Sequence, residues 1–233
     1  MKSTMDLGLN IASAGMLAEQ VQEDQIANDL ANASTPGFKA SSSEQRSFGA
    51  LLLENTATGQ SIGSINVGVE VSKGQTNLSQ GPMQPTGRPL DFAISGPGFF
   101  AVKTANGTQY TRNGQFSVNS SGLLVDQYGN QVLSQTGGPI RVGAAGTVPP
   151  TALGLFNVTN PSQLGNNNFS GRAAAGRATG QVSSGELEGS GIDPIQAMVR
   201  MESALNAYTA GQQTIGTISQ SMQESAQNVA QVP

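Results

Sequence analysis

Apolar positions recur with two different periods, and the change of period divides the chain. From Asp193 to Val229 the repeat is seven: Met201, Tyr208, Ile215, Met222 and Val229 are all apolar or aromatic. A second ladder runs through Met198, Leu205, Gln212, Ser219 and Ala226. Two interleaved heptad ladders lie on one narrow stripe of an α-helix, the seam of a coiled coil rather than the broad face of a core helix. Asp193 is a good N-cap and Pro194 suits the first helical position. At ~1.5 Å per residue such a helix reaches roughly 50 Å. A thin stripe of that length has to be covered by a partner.

The other end of the chain supplies one. Over residues 4–34, Leu7, Ala14, Val21 and Asn28 lie seven apart, with Ile11, Ala18 and Gln25 in the offset positions. Small Ala at the seam permits close approach, and polar Gln25 and Asn28 on the stripe set register at some cost in stability. Thr35-Pro36-Gly37 stops this helix.

Between the two helices the period falls to two. Val67, Val69 and Val71 alternate with polar or small residues, as do Phe92 and Ile94. Short apolar runs follow at Phe99–Val102, Phe116–Val118 and Leu123–Val125, separated by Asn106-Gly107, Asn113-Gly114, Ser121-Gly122, Tyr128-Gly129-Asn130 and Gly137-Gly138. Dipeptides of this kind between apolar runs predict tight turns in an antiparallel meander. The fold class expected is α+β, mainly β with long terminal helices. The N- and C-terminal helices, 1–36 and 193–233, pair as an α-helical coiled-coil stalk. Residues 37–65 and 161–192 read as linkers or extended connections around a small antiparallel β-domain at 66–160, with Phe48, Leu51, Leu52 and Leu53 as the few apolar anchors of the first.

Composition narrows the chemistry. The 233 residues include 30 Gly and 11 Pro, only 11% are charged, and Cys, His and Trp are absent. Disulfides and thiolate metal sites are excluded, and the commonest general base and transition-metal ligand are missing. Gly59-Gln60-Ser61-Ile62-Gly63 matches a nucleophile elbow but has no His to serve it. Gly96-Pro97-Gly98-Phe99-Phe100-Ala101 imitates a dinucleotide fingerprint, yet an apolar strand follows where a helix is needed, so a hairpin turn is expected. Asp126 and Asn130 lack the surrounding acids of a cation loop. The chain therefore reads as no enzyme, with no catalytic, cofactor or metal residues. A net charge of −4 without a basic cluster disfavours nucleic acid and anionic membranes as partners. No apolar run approaches the ~18 residues of a membrane span, and Met1 to Asn10 carries no apolar segment of a cleavable signal peptide.

Several blocks in order along the chain resemble the bacterial flagellar rod and hook protein family. They are Ile26 to Lys39, containing Asn28-Asp29-Leu30-Ala31-Asn32 and Thr35-Pro36-Gly37-Phe38, then Thr86 to Ile94, Gly98-Phe99-Phe100, Tyr110 to Phe116, and Gly185 to Pro194. The C-terminal block has Gly191 where the family usually has Asn, and Leu205-Asn206-Ala207-Tyr208 replaces an Arg-rich segment. The resemblance implies a structural axial protein of the flagellar basal body, exported through the flagellar type III apparatus without signal cleavage. It implies a periplasmic rod built from terminal helices, in contact with itself, with neighbouring rod proteins and with the surrounding rings, transmitting motor torque to hook and filament. The length and the Thr86–Asp91 block with Arg88 resemble a proximal-rod subunit more than a distal-rod or hook subunit. The assembly surface expected is Leu7, Ile11, Ala14, Ala18, Val21, Gln25, Asn28, Met198, Met201, Leu205, Tyr208, Gln212, Ile215, Met222 and Val229, with a motif turn at Asn32, Thr35, Pro36, Gly37 and Phe38. The competing reading is a secreted β-rich binding or adhesive module whose helices close into a fixed oligomer.

Overall fold

The computed structural model describes residues 2–47, 50–54, 61–66 and 69–230. Phe48, Gly59, Gln60 and Val67, which figure in the sequence reading, lie outside the described residues. The chain divides into two compact units, one comprising 1–30, 41–75 and 194–233, the other 31–40 and 76–193.

The first unit holds both long helices. Helix α1 runs Lys2–Ala31 and helix α2 runs Pro194–Ala230. Pro194 opens α2 where its missing N–H costs nothing. The segment after α1 carries four strands: β1 (Ser41–Ser47), β2 (Ala50–Glu54), β3 (Ser61–Asn66) and β4 (Val69–Thr76); the first three fall almost wholly in the stretch read from sequence as a connection, whereas β4 falls where Val69 and Val71 alternate. They form two ladders, β1 beside β4 and β2 antiparallel to β3. β1 has no apolar residue, and β2 is a solid apolar run flanked by polar residues, so neither shows the alternation that marks a half-buried strand.

The second unit is built on a seven-stranded antiparallel sheet of order β12-β13-β8-β7-β11-β10-β9. In chain order its strands are β5 (Met83–Pro85), β6 (Phe92–Ser95), β7 (Phe100–Thr104), β8 (Gly107–Thr111), β9 (Ser117–Val118), β10 (Leu124–Val125), β11 (Gln131–Val132), β12 (Phe156–Gly165), β13 (Asn168–Arg177), β14 (Gln181–Ser184) and β15 (Glu186–Glu188). β14 pairs with β6 and β15 with β5. Strands thus continue well past residue 160. The Ala/Gly run at 173–176, whose composition suggests loop, lies inside β13, held by pairing with β12 rather than by its own propensity.

Alternation along β7 sorts its residues onto two sides. Phe100 and Val102 join Phe92, Ile94, Phe116, Leu124, Leu153 and Leu155 in the larger core. Phe99 and Ala101 join Tyr110, Leu133, Val158 and Phe169 in a smaller one. Both faces of the sheet are therefore covered, which explains the continuous apolar run Phe99–Val102. Asn106-Gly107 joins β7 to β8 with Gly107 at positive φ, as the dipeptide predicts. The glycines of Gly96-Pro97-Gly98 do not form the expected hairpin. They carry the chain from β6, which pairs with β14, into β7 of the large sheet.

Gly114 shows how tightly the core closes. A Cβ there would overlap the Phe92 carbonyl, whose oxygen lies on the strand Gly114 bonds to. Gly122, which unlike Gly114 is at positive φ, has open space around it. Gly114→Ala is expected to lower unfolding free energy by about 3 kcal/mol or more through backbone displacement, and Gly122→Ala by only about 1 kcal/mol. Thermal denaturation of the two variants checks this; equal losses would contradict the packing described.

Candidate assembly site

Two regions carry the residues singled out from sequence, the helices of the first unit and the turn of the second. α1 and α2 run antiparallel. A Cβ built on Gly8 meets Ile218 at 3.8 Å, one built on Gly211 meets Met16 at 2.8 Å, and Arg200 lies near enough to Asp29 to stabilise its charge. Between these points Ser13, Met16, Leu17, Gln20, Tyr208 and Ile215 line a groove of about 280 Å³.

On α2, Met201, Tyr208, Ile215 and Met222 are half-buried. The second ladder facing inward is Ala197, Ala204, Gly211 and Ile218, one residue before the expected one; Ala197 and Ala204 are buried. Met198, Leu205 and Gln212 are exposed. A heptad seam alternates steps of three and four, so either ladder is compatible with Met201. Side-chain size favours Met198 and Leu205, whereas the close approach of another segment favours Ala and Gly. On α1, Ala18 is buried, Ile11, Ala14 and Gln25 are half-buried, and Val21 and Asn28 are exposed. Ile26 and Asp29, absent from the expected set, are buried. Burial raises the Asp29 pKa above its usual value, against the hydrogen bond from Gln25. The side chains of Leu7, Ala226 and Val229 lie outside the described residues.

The turn after α1 is defined in detail. Thr35 bonds back to Asn32 through both its N–H (3.0 Å) and its hydroxyl (3.2 Å). Gly37, at φ +67°, donates to the Glu188 carbonyl at 2.7 Å, and a Cβ on it would overlap the Arg112 backbone. Asn167 donates to the Pro36 carbonyl at 2.8 Å, and the Phe38 carbonyl accepts from Gly191 N–H at 3.0 Å. Phe38 itself is buried. The five motif residues thus set the chain against the stretch 186–191, where it leaves the same unit.

Behind the turn lies a charge cluster that the sequence reading missed. Lys39 is 1% exposed, and its Nζ donates to Glu188 Oε1 and to the Ser79 carbonyl, each at 2.6 Å. Glu188 Oε1 also accepts Gly81 N–H at 2.8 Å, and Oε2 accepts Arg112 Nη1 at 3.2 Å. Arg112 Nη2 reaches the Gly96 carbonyl at 2.9 Å, and its guanidinium lies 5.2 Å from the Phe99 ring centroid. Two cations thus share one carboxylate out of water. Burial pulls the Lys39 pKa below its usual value, Glu188 opposes this, and Arg112 adds to it. The only available signal was that Lys39, Arg112 and Glu188 each stand inside one of the family blocks.

Comparison with known proteins puts a family on this arrangement. Residues 93–162 match the D1 domain of the flagellar hook protein FlgE/F/G family, and 183–228 match the C-terminal part of flagellar basal body rod FlgEFG proteins. A flagellar basal-body rod protein FlgF of Caulobacter vibrioides is 32% identical over 88% of this chain and 90% of its own length. The chain belongs to the flagellar basal-body rod protein family. Another rod protein, FlgG of Bacillus subtilis, is 33% identical over 84% of this chain and 73% of its own. FlgG of Agrobacterium fabrum is 30% identical over 90% and 94%. In this rod protein Arg112 falls within the first matched domain and Glu188 within the second, so the ion cluster joins the two.

Replacing Glu188 by Gln leaves two buried cations without an anion. We expect a loss of about 3–5 kcal/mol. Lys39→Met retains the one-to-one Arg112–Glu188 pair, so the expected loss is smaller, about 1–2 kcal/mol. Because Lys39 sheds its proton more readily when folded, the folded state binds fewer protons than the unfolded one between its lowered pKa and 10.5. Stability of this unit should therefore rise with pH across that window, and Lys39→Met should abolish the rise. Denaturant melts at graded alkaline pH test both statements; a flat wild-type profile would contradict the second.

Proposed function

We propose that this rod protein polymerises through its terminal helices, paired as a coiled-coil stalk, into the periplasmic drive shaft that carries motor torque to hook and filament. The observation that carries the proposal is a second apolar face on the helices. Ile195, Met198, Val199 and Leu205 are 75%, 57%, 62% and 44% exposed; Ile195 and Val199 lie on the side of α2 away from Ala197 and Ala204, and Met198 and Leu205 flank Met201 at the outer edge of the inward face. Leu17 and Val21 are likewise exposed on α1. Soluble monomers rarely leave so much clustered apolar surface in water, and its commonest use is contact between proteins. Contacts between unlike faces that do not close into a ring propagate as a helical tube.

In this reading Met198, Leu205 and Val21 make contacts between subunits, while Met201, Tyr208, Ile215 and Ala18 hold the helix pair. Many helices packed side by side resist twist, which is what a drive shaft requires. The motif turn and the Glu188 cluster anchor the strand-rich unit. A position in the proximal rod is part of the proposal, supported by the Thr86–Asp91 block. Export through the flagellar type III apparatus, and contacts with neighbouring rod proteins and rings, belong to the same proposal, and family membership supports them. Among the described residues, no helix is long and apolar enough to cross a membrane.

Leu205→Asp puts a charge on an exposed face. It should change the melting of the monomer little, within about 0.5 kcal/mol, yet remove the subunit from isolated basal bodies and abolish swimming. Normal swimming with a full complement of subunits would refute the assignment of this face. Amide exchange offers an independent check. Before assembly, fast exchange is expected at 1–34 and 195–230, with protection in the seven-stranded sheet. Slow exchange at both ends of a verified monomer would contradict assembly-coupled ordering, and a fixed closed oligomer would favour the binding-module reading.

A further inference from the structure

Charge is unevenly divided between the two units. Residues 1–30, 41–75 and 194–233 contain four basic and ten acidic residues, a net of −6; residues 31–40 and 76–193 contain seven basic and five acidic, a net of +2. Folding sharpens the second figure. Of its five acids, Asp91, Asp126 and Glu188 are buried, Glu186 is half-buried, and Asp193 is exposed. Of its seven bases only Lys39 and Arg112 are buried; Arg88, Lys103, Arg141, Arg172 and Arg177 are all exposed.

The asymmetry has a chemical cause. Carboxylates accept N–H groups, so this unit uses its acids internally. Asp126 accepts from the N–H groups of Tyr128 and Asn130 and from the Asn130 amide, and Glu188 holds the clamp at the motif turn. Lys39 and Arg112 donate to the Ser79 and Gly96 carbonyls, whereas the other five cations reach water on long stems, Arg88 beside Asp91. An acidic protein thereby presents a strand-rich unit with a cationic surface. The first unit has the opposite sign. On α1, Glu23 is half-buried and Asp24 exposed, and neither shares its helix with a base nearer than Lys2.

Resting on the rod assembly proposed above, we propose that the cationic surface of the strand-rich unit docks on the acidic helical unit of a neighbouring copy. Like against like is disfavoured: helical units repel one another as acids, and strand-rich units as bases. Only the unlike pairing has complementary sign, and it is heterologous, so it propagates. It also neutralises the repulsion that accompanies packing acidic helices together. The basic residues are spread over the unit rather than gathered in one pocket, so they favour an extended charged surface over a small anion. With a screening length of about 8 Å at physiological salt, the contact requires direct apposition.

The test uses charge reversal and its rescue in the full chain, in cells whose own copy of the gene is deleted. Arg172→Glu with Arg177→Glu, both on exposed positions of β13 and outside the Glu188 cluster, should reduce subunits per isolated basal body at least tenfold. Adding Glu23→Lys and Asp24→Lys should restore them. Circular dichroism melts confirm folding; should the glutamate pair misfold, Arg172→Gln with Arg177→Gln replaces it, with a smaller loss expected. Unchanged incorporation by a folded reversal variant, or no restoration by the compensating pair, overturns the docking proposal and leaves the rod reading standing. Basal bodies that are complete in the deletion strain would instead sink the rod reading itself. Intact assembly with lost binding to purified anionic cell-wall polymer would assign the surface to that polymer and overturn docking between copies.

Discussion

The strand-rich unit depends on one buried carboxylate. Glu188 is shielded from water and shared by Lys39, Arg112 and the Gly81 N–H. A lone carboxylate in that place would cost several kcal/mol and would be protonated or expelled. Its presence therefore requires that residues 39, 81, 112 and 188 be brought to one point. Buried ion clusters add little net stability over an apolar replacement of the same shape. What this one supplies is a geometric condition: the chain enters beside Phe38 and leaves beside Gly191 in a fixed register.

The sheet makes that condition possible. β8 ends at Thr111 and presents Arg112 beneath the turn, while β15, paired with β5, presents Glu188 from the other side. A Cβ on Gly37 would overlap the Arg112 backbone and one on Gly81 the Gly189 carbonyl, so backbone replaces bulk where the segments cross. Apolar cores on both faces of the sheet hold these strands in place.

The helices follow a different logic. One face of α2 is small, Ala197, Ala204 and Gly211, and lies towards α1; the other is large and exposed, Ile195, Met198 and Val199. Both are apolar, so hydrophobicity alone does not say which is inside. The heptad of Met201, Tyr208 and Ile215 is legible because its spacing is independent of a partner. The companion ladder is not, because steps of three and four are both permitted and only the approach of α1 selects between them. The same holds for Ile26 and Asp29, whose burial no periodicity of α1 alone announces.

Local chemistry settled the two long helices, the turns at Asn106-Gly107 and Ser121-Gly122, and the family blocks, because these depend on residues within a turn or two of one another; Asn113-Gly114, expected to turn, instead lies buried against the Phe92 backbone. The strands at 41–66 and 161–188 depend on pairing: β1 and the Ala/Gly run of β13 have weak propensity of their own and are held by β4 and β12. Burial of Lys39 and Glu188 was decided the same way. A charged side chain reads as solvent-exposed until its counter-ion arrives from 149 residues along the chain. The sign of the surface is the last of these: composition counts every charge, and only folding determines which ones water sees.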